Sequence, residues 1–225
     1  MSTTATYLHI PNLLDNNQLN MITGLLADAP YEDGRKTASD SAREVKNNMQ
    51  MNGQSSQYMG IQQILLTALN QSSIFRNATL PKNIYPFLIS KYTPGNGYGW
   101  HVDSPLMGNM MRTDIAMTIF LNDADDYTGG ELELQTPFGN KEYKFKKGDA
   151  FCYPCQQLHR VKNLTAGERH VAVTWIQSLV KNTDERELLN NLQHVINSLK
   201  SAGPNTAEEH ILQQSYSNLL RKWSE

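Results

Sequence analysis

Between residues 85 and 177 the chain reads YPFLISKY (85–92), DIAMTIFL (114–121), ELELQTP (131–137), KEYKF (141–145), DAFCY (149–153), LHRVKNL (158–164) and RHVAVTWIQ (169–177), with Gly- and Asp-rich segments between these runs. Each run is short and rich in β-branched or aromatic residues, which suits a pleated, half-buried surface, and the separators carry turn chemistry. Such a succession, without helical patterns in between, predicts an all-β sandwich or jelly roll rather than alternating βαβ units.

The flanks read differently. Tyr7 to Ile10 predicts a short strand, and Asp15 can N-cap a helix carrying Leu19, Ile22, Leu25 and Leu26 at helical spacing. Ile61, Ile64, Leu65, Ala68 and Leu69 repeat that spacing until Leu80-Pro81 breaks it, whereas residues 32–57 are polar and give neither period. After the β region, one helix following Asp184 aligns Leu188, Leu192, Val195 and Leu199. A second, following Thr206, aligns Ile211, Leu212, Tyr216, Leu219, Leu220 and Trp223, with Gly203-Pro204 as the turn between them. The expected layout is an N-terminal strand with supporting helices (1–83), a β core (84–180) and a C-terminal helical extension (181–225). The apolar faces of that extension are too large to leave in water, so they pack on the core or on a second subunit of a homodimer.

At 225 residues without an internal repeat the chain fits one domain, with or without a small appendage, and can bury a substantial core. Twenty Lys and Arg against 22 Asp and Glu give a net charge of −2, with no basic block for a phosphate backbone. The N-terminus lacks a cationic start followed by an apolar run, and nowhere do some twenty apolar residues follow one another, which reads as a soluble, cytoplasmic chain with no membrane segment. Cys152 and Cys155 form a CxxC, but FCYPCQQLH reads as strand then turn rather than the start of a helix. No second pair completes a zinc site, so both are expected to be packing thiols.

In GWHVDSP (99–105), side chains two apart on extended backbone project to one side, so His101 and Asp103 can face one point while Val102 points away. The preceding Pro94, Gly95, Gly97 and Gly99 allow close backbone approach. His159, opening a later run, can add a third ligand from a neighbouring strand. Two histidines and one carboxylate on one face, with the remaining positions open, make the facial triad of non-haem iron(II) oxygenases. Arg169 lies ten positions beyond His159 at the head of a strand. Inside a β core an arginine is costly unless it meets an anion, and its planar fork matches the far carboxylate of a dicarboxylate whose other end chelates the metal. Arg112, Asp114, Tyr98 and Trp100 lie near these residues and read equally well as packing.

Together these segments resemble the prolyl-4-hydroxylase-like iron(II)/2-oxoglutarate-dependent dioxygenases, and within them the bacterial PKHD-type hydroxylases. The resemblance runs through Tyr92, Gly95, Tyr98, His101 and Asp103, then RTD and its apolar strand (112–121), DDYTGGEL (125–132), KGDAFCYPCQQLHRV (147–161), WIQSLV (175–180) and DERELL (184–189). It implies a double-stranded β-helix (jelly roll) flanked by helices, with iron(II) on His101, Asp103 and His159. It further implies 2-oxoglutarate on Arg169 with Tyr92 as a second hydrogen-bonder, O2 as cosubstrate and L-ascorbate as reductant. The implied reaction hydroxylates an unactivated C–H bond, of a prolyl residue or a small amino-acid-like molecule, and releases succinate and CO2. Nucleic-acid demethylases of similar chemistry carry a second Arg six places beyond the anchor. Trp175 stands there, which argues against DNA or RNA as substrate. Two other readings stay open on the residues alone: a cupin-like metal enzyme without 2-oxoglutarate, and a non-catalytic metal-sensing module.

Overall fold

Every residue from Ile115 to Phe120 is buried, as in a strand covered on both faces, and it lies within an eight-stranded antiparallel sheet. In the computed structural model, which describes residues 6–38, 40–108, 110–203 and 206–224 (at 40 and 41 the backbone alone), that sheet runs in the order Leu8–Ile10, Ala150–Pro154, Ile115–Phe120, Arg169–Ser178, Leu88–Tyr92, Met49–Met51, Tyr31–Asp33. Pro81–Ile84 adds to the C-terminal end of Arg169–Ser178. A second antiparallel sheet of five strands, Gly139–Tyr143, Leu132–Thr136, His159–Val161, Gly97–His101 and Lys46–Asn47, closes the jelly roll.

Strand alternation divides the core in two. In the large sheet, Phe151, Tyr153, Ala116, Phe120, Val171 and Trp175 point inward and meet Leu132, Leu134 and Val161 of the small sheet. Cys152, Ile115, Met117, Ile119, Ala172 and Ile176 point outward and are covered by Leu19, Ile22, Ile61, Leu65 and Leu69 of two helices, Asn16–Ala27 and Ser56–Gln71. Asp15 caps the first of these with a reciprocal capping box to Gln18, and Ser55 caps the second through the Tyr58 N–H.

The polar stretch 32–57, unreadable by period, forms strands of only two and three residues, too short to establish one. Its middle joins the sheets: Lys46 pairs with Tyr98 of the small sheet and Met49 with Lys91 of the large one. Gly99 permits this docking, because a Cβ there would lie 2.7 Å from that of Val45.

The C-terminal helices, Thr183–Ala202 and Ala207–Trp223, pack on each other and on the end of the large sheet. The first starts at Thr183, because Asn182 takes the N–H groups of Asp184 and Glu185. The expected apolar stripe is shifted by one residue. Leu189 and Ile196 are fully buried, with Leu192 and Leu199 half-buried, while Leu188 and Val195 are 53% and 45% exposed. Adjacent apolar pairs at 188/189 and 195/196 make both stripes equally amphipathic, and the neighbours Leu80, Val180 and Leu220 select one. Ile211, placed on the inner face of the second helix from the sequence, is also exposed, and Pro204 of the expected turn lies outside the described residues. Among the described residues no helix is long and apolar enough to cross a membrane.

Candidate metal and dicarboxylate site

The inward faces of the two sheets enclose a cavity of about 210 Å3 into which all five residues singled out from the sequence project: His101, Asp103, His159, Arg169 and Tyr92. His101 ends its strand and His159 begins another, and the two are cross-strand partners. Asp103 lies on the irregular segment just past His101, with Val102 half exposed between them.

One ligand atom from each of His101, Asp103 and His159 falls within 4.8 Å of the others. The two rings are held alike: His101 Nδ1 donates to the Gly99 carbonyl and His159 Nδ1 to that of Gln157, both at 2.8 Å. A carbonyl only accepts, so each Nδ1 carries a proton, and Nε2 is the nitrogen that a neutral ring would offer to a metal. Those Nε2 atoms lie 3.9 and 3.8 Å from Asp103 Oδ1, too long for hydrogen bonds and wide enough for an ion between them. Burial, together with His159, pushes His101 down to about 3, keeping it neutral. Burial raises the Asp103 carboxyl, against the pull of His159, Trp175 and Lys46. The other oxygen, Oδ2, is buried without a hydrogen-bond partner. A buried carboxylate with one oxygen unpartnered, set between two imidazoles, is unfavourable alone and favourable with a divalent cation, so the donor set fits iron(II).

Arg169 is 1% exposed, heads its strand as expected, and sits opposite Tyr92 in register. Its guanidinium carbon lies 5.0 Å from the Tyr92 ring centroid and 5.9 Å from that of Phe120. No carboxylate of the described residues pairs with it, and its Nε and Nη1 are buried without acceptors. Nearby, the hydroxyl of Tyr127 is also buried and unpartnered; burial raises its pKa and Arg169 opposes the rise. An unpaired fork beside an unpaired hydroxyl fits an anionic ligand. Gly130 makes room for the arginine stem: at φ +70° it adopts a conformation side chains avoid, and a Cβ would lie 2.9 Å from Arg169 Cδ.

The other sequence candidates separate. Arg112 and Asp114 form an ion pair, 2.7 Å from Nε to Oδ1, that also grips the Ser178 backbone from both sides, which makes them a staple. Tyr98 stacks on the His101 ring at 3.6 Å between centroids and lines the cavity, whereas Trp100 lies under Arg160, away from it. Cys152 and Cys155 are free, buried thiols whose pKa values burial raises. Missed from the sequence were Lys46 and Asn48, which line the cavity, Tyr127 beside Arg169, and the fact that the Trp175 indole faces Asp103. Tyr127 could have been found as the polar aromatic of the quoted YTGGEL, whereas the polar stretch around Lys46 carried no signal.

Residues 87–177 match the 2OG-Fe(II) oxygenase superfamily, and residues 184–225 match the PKHD-type hydroxylase C-terminal domain. A PKHD-type hydroxylase from Synechococcus sp. (strain JA-2-3B'a(2-13)) is 42% identical over 221 residues, covering 97% of this chain and 99% of its own. Another, from Psychrobacter sp. (strain PRwf-1), is 38% identical over 257 residues with the same coverage. Among solved structures, a prolyl hydroxylase from Trichoplax adhaerens in complex with a hypoxia inducible factor peptide fragment superposes with a TM-score of 0.59. That match covers 83% of this chain and 87% of that one at 16% identity, which establishes likeness of fold.

Proposed function

Because the chain belongs to the PKHD-type hydroxylases of the 2OG-Fe(II) oxygenase superfamily, we propose that His101, Asp103 and His159 hold its iron(II) and that Arg169, flanked by Tyr92 and Tyr127, grips the far carboxylate of 2-oxoglutarate. The observation that carries this is one cavity containing both a three-donor cluster and a buried guanidinium with unpaired N–H groups. The cupin-like and metal-sensing readings lack a use for that guanidinium.

Bound iron and 2-oxoglutarate supply the oxidising chemistry that couples decarboxylation to hydroxylation of a C–H bond with O2. The protein's part is placement. The carbonyl-fixed imidazoles aim two Nε2 atoms at one point, and Asp103 adds a carboxylate. Trp175 turns its indole N–H toward that carboxylate. Arg169 would hold the far carboxylate of the dicarboxylate, while Leu88, Leu132, Val161 and Val173 keep the cavity walls apolar.

The cavity is smaller than a typical small-molecule pocket, so alongside the cosubstrate it suits a small group such as a prolyl ring or a small amino-acid-like molecule. The peptide held by the T. adhaerens prolyl hydroxylase supports the peptidyl form. We place the reaction in the cytoplasm, where ascorbate or another reductant keeps iron ferrous and the two thiols stay reduced. On the two C-terminal helices, Leu188, Val195 and Ile211 are the exposed large apolar residues that a second copy of the chain would cover. The decisive experiment is anaerobic iron(II) titration followed by succinate assay with 2-oxoglutarate, O2 and ascorbate. The reading expects one iron per chain and slow succinate formation without added substrate, and iron-loaded protein that neither binds nor consumes 2-oxoglutarate overturns it.

A further inference from the structure

The cavity holds a second buried cation. Lys46 is 6% exposed, donates from Nζ to Thr37 Oγ1 at 2.9 Å, and lies 5.4 Å from the Tyr98 ring centroid. No carboxylate of the described residues forms an ion pair with it; Asp103 and Asp33 act on it from further away. Burial lowers it to about 8, so it is still charged at neutral pH. An ammonium carries three donors, and Thr37 takes one. Two positions on, Asn48 is 4% exposed; its Oδ1 packs against Gly34 and its amide faces the Tyr92 hydroxyl, but neither Oδ1 nor Nδ2 has a partner at hydrogen-bond geometry. Side chains at alternate positions of extended backbone share a side, and both line the cavity. Thr37 Oγ1 in turn donates to Gln50 Oε1 at 2.5 Å and Gln50 Nε2 to Ser90 Oγ at 3.4 Å, so the lysine is held rather than swinging free.

Charge and position say what this pair awaits. A divalent metal, a doubly negative cosubstrate, the Asp103 carboxylate and the Arg169 guanidinium cancel, and the Lys46 ammonium is left over. A buried uncompensated charge is unfavourable, and a single carboxylate neutralises it. Arg169 lies at the fully buried end, whereas Thr37, the partner of Lys46, is exposed, so Lys46 stands toward the rim, where a substrate enters.

We propose that Lys46 and Asn48 form a carboxylate subsite for the substrate, so that the molecule hydroxylated is an amino acid or the C-terminal residue of a peptide rather than an internal residue. This rests on the dioxygenase reading above.

The test compares the proteinogenic L-amino acids, free and N-acetylated, as carboxylates and as their primary amides, by succinate formation above the substrate-free rate of the iron-loaded enzyme. At least one carboxylate is expected to exceed its amide by ten-fold or more. That preference should vanish in Lys46→Met and persist in part in Lys46→Arg. Amides that match carboxylates, stimulation by neither set, or a folded Lys46→Met that keeps the preference overturns the subsite. So does a ten-fold rise in 2-oxoglutarate half-saturation in Lys46→Met, since the cation then serves the cosubstrate. Failure of the wild-type protein to bind 2-oxoglutarate by calorimetry under anaerobic conditions is a different result: it removes the dioxygenase reading itself, and the subsite with it.

Discussion

His101 and His159 are cross-strand partners whose rings are turned by the same bond, each Nδ1–H donating to the carbonyl two residues earlier, so that both Nε2 atoms converge on Asp103 Oδ1 from under 4 Å. The convergence is set by the backbone and needs no metal to create it. His101→Ala and Asp103→Ala are therefore expected to keep the fold and lose stoichiometric iron, measured by metal content after anaerobic loading and by thermal melting. Either variant binding iron at wild-type stoichiometry removes that residue from the ligand set.

The proposed anchor at Arg169 is separable by experiment from the proposed metal ligands. Arg169→Met keeps an apolar stem but removes the buried fork, and loss of one partner of such a pair costs about 2–5 kcal/mol, roughly thirty-fold to several thousand-fold in 2-oxoglutarate affinity. Tyr127→Phe removes only the unpartnered hydroxyl, and about 1.5 kcal/mol, near ten-fold, is expected. Iron content should stay at wild type in both. An unchanged 2-oxoglutarate titration in folded Arg169→Met would sink the anchor.

Lys46 gives a pH signature in metal-free protein. Its folded pKa, about 8, lies below its ordinary 10.5, chiefly through burial, with Asp103 and Asp33 opposing. Between those values the unfolded chain binds more protons, so stability rises with pH there. Below pH 8 the buried charge is a full penalty, on the order of 1–3 kcal/mol. Lys46→Met should thus be the more stable protein at pH 7 by urea denaturation, with the gap closing by about pH 10.5. A variant less stable than wild type at pH 7 contradicts the penalty.

The clustering of His101, Asp103 and His159 and the inward place of Arg169 were legible because each is a residue type whose chemistry is specific at a spacing the backbone preserves: HxD on extended chain, a histidine opening a strand, an arginine heading one. The β core was legible from its short β-branched and aromatic runs separated by turn residues. Lys46 and Asn48 were not, since strands of two and three residues leave no period, and their place in the cavity comes from pairing with Tyr98 on one sheet and Lys91 on the other, which no local pattern encodes. Trp175 was noted only as an absent arginine. Its contact with Asp103 joins residues 72 positions apart.

Cys152 and Cys155 should be chemically silent. Both are buried and free, one on each side of the large sheet, and burial holds both thiols protonated. Cys152→Ala with Cys155→Ala is expected to cost about 1–3 kcal/mol of stability through lost packing, without loss of iron or succinate formation. Native protein should react with a thiol reagent only as fast as it unfolds. Prompt labelling of the native protein, or iron loss in the folded double variant, would return the CxxC to the list of functional groups.

The C-terminal extension tests the corrected helical stripe. Leu188 and Leu189 are neighbours of identical chemistry, but Leu189 is fully buried against Leu80 and Val180, whereas Leu188 is half exposed. Arg186, one turn earlier, is also buried and donates to the Val180 and Lys181 carbonyls, which fixes how the helix leaves the last strand. Truncating a buried leucine loses transfer energy and leaves a cavity, so Leu189→Ala should cost about 2–4 kcal/mol. Leu188→Ala, at a largely solvated position, should stay within about 0.5 kcal/mol. Ile196 and Val195 repeat the contrast one heptad later and should rank the same way. Urea denaturation of the four single variants reads this directly, and the iron-loaded succinate assay at low temperature shows whether the extension acts only by stability. Equal losses at 188 and 189 would mean that a second chain covers the outer stripe, which sedimentation of the wild-type protein would then reveal as a dimer.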